Sequence, residues 1–146
     1  MDQLNWQILE CLQENARQSF AEIGRKVGLT SPAVAERVKK MEDNGVITEY
    51  RAFVSPMEVG YQLKAIVTLS AFMGRLKPFL IKVKEFEEVI NCYRVTGNEN
   101  VIMEVVLKNQ LHLEKFIDEL LHYGETKTHI VLSDVITNNA VKRSKS

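Results

Sequence analysis

Four residues on one short stretch carry the only chemistry this sequence displays openly: Ala33, Glu36, Arg37 and Lys40. They lie in SPAVAERVKKMEDNG, where Val34, Val38 and Met41 repeat at the spacing of one helix face and must turn inward. Ala33, Arg37 and Lys40 then form an adjacent outward stripe, with Glu36 at its edge. Such a set performs no covalent step. A small residue lets backbones approach, a guanidinium reaches a base edge or a phosphate, and an ammonium reaches a phosphate. The pattern points to recognition of duplex DNA, and a helical hairpin with solvated charges is the alternative.

Catalysis finds no support. His112, His122, His129, Cys11 and Cys92 are scattered, without nucleophile-base pairing or metal-ligand spacing, and no glycine-rich phosphate loop is present. His122 has Asp118 one turn back, an ordinary helix-surface pair. Cys11 and Cys92 read as reduced packing residues. No cofactor is implied.

The elements that must position the stripe are legible around it. Phe20, Ile23 and Val27 mark one helix face, and Ser19 with Glu22 three residues on is a capping box. Gly28 stops that helix. A turn of Leu29, Thr30 and Ser31 follows, with Ser31 predicted as N-cap and Pro32 at the start of the second helix, which Gly45 ends. Gly24, mid-helix, is expected to let the second helix cross closely. Leu4, Ile8, Cys11 and Leu12 predict a preceding helix ending near Asn15. The three together make a helix-turn-helix domain over residues 1–47.

Charge supports this locally. The chain is neutral, with 19 basic and 19 acidic residues, yet Arg25 to Lys40 holds five cations against Glu36 alone, a net of +4. The apolar fraction of 45% suits a folded core. The polar start MDQLNWQ is no signal peptide, and no apolar run approaches the ~20 residues of a membrane span. A cytoplasmic protein is expected.

Beyond the head, GVITEYRAFVSP alternates β-branched or aromatic residues with charged ones. It predicts a strand-like hinge over residues 48–61, seeking a partner in a second subunit. Residues 62–137 then read strand, helix, strand, strand, helix, strand. The strands are Lys64 to Phe72, Val89 to Thr96, Val101 to Leu107 and Thr126 to Thr137; helix faces lie in Arg75 to Phe86 and from Leu113 to Leu121. This βαββαβ order is the ferredoxin-like split arrangement, with both helices on one face of an antiparallel sheet. The other face is expected to be apolar too, and so to pair sheet to sheet with a second copy. Residues 138–146, NNAVKRSKS, read as a flexible polar tail, a nucleic-acid arm being the alternative.

This α+β order, a tri-helical winged-type helix-turn-helix domain followed by a βαββαβ domain, resembles the Lrp/AsnC (feast/famine) transcription regulators. The matching stretches are LNWQILECLQENARQSFAEIGRKVGLTSPAVAERVKKMEDNGVI, YRVTGNENVIMEVV and TKTHIVLSDVI, so the likeness runs from Asp2 to Ile136. Within the family the chain looks most like the small LrpC-type regulators. The resemblance implies DNA binding as a dimer, assembly to tetramers or octamers, and sensing of a free amino acid by the second domain. It places Ser31, Ala33, Glu36, Arg37 and Lys40 at recognition-helix positions, with Ser31 suited to a phosphate at the helix start. Arg37 doubles as a helix-face residue in such proteins.

It also places an effector loop at Gly97, Asn98, Glu99 and Asn100. The family pattern there is Gly-x-x-Asp, and Asn100 lacks the charge that would pair with an α-ammonium. A plain hairpin turn is the other reading, and weak or absent amino-acid binding is expected. Two further functions remain open on sequence: an architectural protein wrapping DNA with modest sequence preference, and an amino-acid-sensing module regulating an enzyme by contact.

Overall fold

The computed structural model describes residues 1–145. Two compact units emerge: Met1–Ala52 together with the segment from Ile136 onward, and Phe53–Val135.

The first unit is three helices. Asp2 caps α1 (Gln3–Glu14), its carboxylate accepting the Asn5 N–H at 2.8 Å. The capping box of α2 (Phe20–Val27) is complete: Ser19 Oγ accepts from the Glu22 N–H, and Glu22 accepts from the Ser19 N–H. Gly28 adopts φ +78°, the left-handed turn that ends the helix. Helix α3 (Ser31–Asp43) is capped by Thr30, not by Ser31 as the sequence suggests. Thr30 is extended and its Oγ1 accepts the Ala33 N–H, so Ser31 is already the first helical residue and Pro32 the second. The core is Ile8, Leu9, Ile23, Val34, Val38 and Met41, with Trp6, Cys11, Val27 and Ile47 packed against it. Gly24 does give a close approach, but to the turn: a Cβ there would sit 2.3 Å from the Leu29 carbonyl oxygen.

No β-wing accompanies these helices among the described residues. Residues 48–55 form no strand and are exposed throughout. An extended segment needs an edge to bond to, and the expected edge for this hinge belongs to a second subunit. Tyr50 ties its first part to α3, its hydroxyl donating to Glu42 at 2.9 Å. Partial desolvation of the hydroxyl, reinforced by that carboxylate, pushes the phenol up to about 12.

The second unit follows the expected order: β1 (Leu63–Ala71), α4 (Leu76–Lys82, extended by a tighter turn over Val83–Glu85), β2 (Val89–Arg94), β3 (Val101–Leu107), α5 (Gln110–Leu120) and β4 (Gly124–Ile130). The sheet runs β2-β3-β1-β4 and its pairings are antiparallel. Ala65, Val67, Leu69, Val101, Met103, Val105 and Leu107 line the face that packs on Phe79 and Val83 of one helical segment and Phe116 and Leu120 of the other. Strand β4 stops seven residues short of Thr137. Val131 still donates to the Lys64 carbonyl, but β1 begins at Leu63 and gives the following residues nothing to pair with.

The other face of the sheet is not the uniform apolar surface that the sequence suggests. Register puts Lys64, Ile66, Thr68 and Ser70 on it, with Ile102, Glu104 and Val106 of β3, Asn91 and Tyr93 of β2, and Glu125, Lys127 and His129 of β4. Lys64 pairs with Asp134 and Glu104. Strands pleat strictly by two, so Val and Ile at both parities of β1 and β3 do not extend to β2 and β4. Thr68, 9% exposed at its centre, has an Oγ1 with no partner among the described residues.

Candidate nucleic-acid interface

The outward side of α3 carries the five residues singled out above. Ser31, Glu36 and Lys40 are exposed, Ala33 and Arg37 partly so, while Val34, Val38 and Met41 are buried. The start of the helix therefore presents Ser31 and Pro32 to solvent, and Ala33 gives no bulk against a close surface. This side of a short helix, rigidly seated on two others, has the geometry of an element that enters a DNA major groove.

Its charges are not free. Arg37 Nη1 lies 2.7 Å from Asp2 Oδ2 and 3.0 Å from Asn5 Oδ1, so the guanidinium fastens α3 to the first turn of α1. The same Asp2 caps α1, and its hydrogen bond with Arg37 holds its carboxyl below the usual range. Lys40 pairs with Glu36 at 3.1 Å and Lys39 with Asp43 at 3.4 Å, both one turn apart on an exposed surface. Lys26 donates to Gln18 at 2.8 Å. The local net of +4 in sequence is thus reduced in space by Asp2 and Asp43. Asp2 is the residue that sequence reading missed. An Asp immediately before an apolar-periodic run is a capping signal, but its reach to Arg37 crosses the domain and has no local mark.

The loop Gly97 to Asn100 is built as a structural hairpin. Gly97 takes φ +114°. Asn100 N–H donates to Leu69 O at 2.8 Å, its carbonyl accepts from Val95 at 3.0 Å, and its Oδ1 accepts the Ala71 N–H at 2.7 Å. Asn98 O accepts from Ser70 Oγ at 3.1 Å, and Glu99 is half-buried beside Lys127 at 3.6 Å. Asn100 Oδ1, the Asn98 carbonyl and one Glu99 carboxylate oxygen are thus engaged with β1 or β4, while Asn98 is exposed. Among the described residues no group of His, Cys, Asp and Glu could hold a metal ion. No helix among them is long and apolar enough to cross a membrane.

A tri-helical helix-turn-helix unit joined to a split βαββαβ unit defines a two-domain regulator, one part shaped for DNA and the other for ligand or partner. Residues 1–42 match the AsnC-type helix-turn-helix domain, and residues 64–141 match the Lrp/AsnC ligand binding domain. The chain belongs to the Lrp/AsnC family of transcriptional regulators, which is not a family of enzymes. It is 34% identical to the regulator Ptr1 of Methanocaldococcus jannaschii over 84% of this chain and 82% of that one. It is 29% identical to LrpC of Bacillus subtilis over 95% and 96% of the two chains. The solved structure of LrpC superposes with a TM-score of 0.89, at 28% identity, over 94% of this chain and 98% of that one. The regulator NMB0573 of Neisseria meningitidis, solved as a complex with L-Met, shares the fold at a TM-score of 0.91 over 97% and 96%, with 24% identity.

Proposed function

We propose that this chain regulates transcription in the cytoplasm, on the nucleoid, by seating α3 in the major groove of duplex DNA. It acts as a dimer and as tetramers to octamers built from dimers. The observation that carries the reading is the exposed start of α3 over a buried Val34, Val38 and Met41. Ser31 and Lys40 contact phosphates, while Ala33, Glu36 and Arg37 face bases. Asp2 and Asn5 steady Arg37 Nη1, which leaves Nη2 and Nε to donate to a base. Two heads on one dimer place two recognition helices about one helical turn apart.

The sheet's open face supports pairing with a second copy. Its two inner strands present Ile66, Ile102, Val106 and the unpartnered Thr68 hydroxyl together with Glu104, opposite Ile66, and Lys64, opposite Val106, while β4 adds Glu125 and Lys127. Apolar and polar side chains mixed over one face are within the ordinary composition of a subunit interface. Gly97, Asn98, Glu99 and Asn100 are the effector positions. With Asn100 Oδ1 and Glu99 engaged, a free amino acid binds weakly or not at all, in contrast to the NMB0573 complex with L-Met. The same occupancy favours the second reading, an architectural protein that wraps DNA with modest sequence preference. The reading as a contact regulator of an enzyme has no such observation behind it.

A titration of the intact chain on duplex DNA across a salt series tests the proposal. Affinity falls linearly with salt on logarithmic axes if phosphates are gripped. Binding that is absent at low salt, or indifferent to salt, would refute it. The ratio of specific to non-specific affinity separates regulator from wrapper.

A further inference from the structure

The segment read as a free tail is clamped. Gln13 on α1 spends both ends of its side-chain amide on one residue of it: Nε2 donates to the Val141 carbonyl at 2.9 Å and Oε1 accepts the Val141 N–H at 2.8 Å. Ala140 beside it is half-buried. The segment therefore belongs to the helical unit, although more than 120 residues of sequence separate the two partners of the clamp. It follows Val141 with Lys142, Arg143, Ser144 and Lys145, three cations and no acid.

The state of these cations differs from that of the cations on α3. Arg37, Lys39 and Lys40 are each in an ion pair, with Asp2, Asp43 and Glu36. Among the described residues no carboxylate lies within ion-pair distance of Lys142, Arg143 or Lys145, although Glu10 and Glu14 flank Gln13 on α1. Fully extended chain covers at most about 3.6 Å per residue, so Arg143 stays within about 7 Å of the clamp and Lys145 within about 14 Å. The helical unit thus keeps unpaired positive charge close to it from outside its own helices. Residues 142–145 also lie beyond both stretches that match the family models.

We propose that residues 138–145 form a backbone-gripping arm, which Gln13 holds beside the helix-turn-helix unit so that Lys142, Arg143 and Lys145 neutralise phosphates of the duplex bound by α3. The inference rests on the DNA-binding reading above. The arm adds affinity without sequence information, since phosphates flank every base. It also supplies what the ion-paired surface of α3 lacks.

The test is the salt dependence of DNA affinity for four full-length chains: wild type, the triple variant Lys142→Ala, Arg143→Ala and Lys145→Ala, the single variant Gln13→Ala, and a charge-matched control. That control, Lys77→Ala, Lys84→Ala and Lys115→Ala, removes three exposed cations of the other unit. Each phosphate contact contributes about 0.9 to the logarithmic salt slope. The triple variant is expected to lose about 2 to 3 from the slope, equally on operator and random DNA, with the control unchanged. Gln13→Ala is expected to lose less, because the arm stays attached but unheld. A triple variant with the wild-type slope, or a control that loses as much, overturns the arm. An unchanged Gln13→Ala overturns the clamp. Wild type that fails to bind DNA at low salt fails the underlying reading, which the variants then cannot rescue.

Discussion

The two units of this chain solve one packing problem in opposite ways, and glycine shows it. Each has a position where a Cβ would lie 2.3 Å from a carbonyl oxygen: Gly24 against Leu29 in the helical unit, Gly124 against Ser70 in the sheet. The first neighbour is a turn of a few residues. The second is a strand bonded on both sides, β1 between β3 and β4. The helical unit is assembled from local instructions and can yield locally, whereas the sheet is fixed by distant partners.

Gly124→Ala should break that contrast most severely. The Cβ meets Ser70 and Ala71 backbone that cannot move without disturbing two ladders, and we expect about 3 kcal/mol lost in chemical denaturation. Gly24→Ala meets a turn and gains about 1 kcal/mol of helix propensity, so a net loss of about 1 kcal/mol is expected. Trp6, the only tryptophan, packs on the helical core, and its fluorescence follows that unit. Equal losses for the two substitutions would erase the distinction.

Function sharpens it further. Arg37→Ala should weaken binding to a specific duplex by about 1–3 kcal/mol if its free nitrogens read a base; a smaller loss means that it only fastens α1. On the other unit, Asn100→Ala leaves the Ala71 N–H without its acceptor and should cost about 1–2 kcal/mol of stability. It should leave DNA affinity unchanged. A thermal-shift screen of common amino acids should give no clear stabilisation; one that appears and is lost in Asn100→Ala would restore the effector loop.

The smallest effect expected is the pH response of the Asp2 pair. Arg37 holds the Asp2 carboxyl below its ordinary value, so the folded state binds that proton less readily than the unfolded state. Its contribution is present above the unfolded value and fades as pH falls through the folded one. The stability gap between wild type and Asp2→Asn should therefore narrow from about pH 5 to about pH 2. A gap that widens on acidification would contradict the pairing.

What was legible in the sequence divides along the same line. Ser19, Glu22, Gly28 and Pro32 act over three or four residues, and the helix ends they announce stand where expected, apart from the one-residue shift to Thr30. The βαββαβ order was legible from periodicity and from the turn at Gly97 to Asn100. The missing end of β4 and the charged outer positions were not, because each depends on which strand lies alongside. The candidate site divides in the same way. Its outward stripe follows from helical spacing, but Asp2 beside Arg37 and Gln13 on Val141 are meetings of distant residues.

The most direct test of the account is footprinting of the intact chain on DNA carrying a site it selects. Paired heads predict two protected major-groove windows on one face of the duplex, about 10–10.5 base pairs apart centre to centre. A single window with no companion at that spacing, at saturation, would contradict the claim that the β-rich unit makes two recognition helices act together.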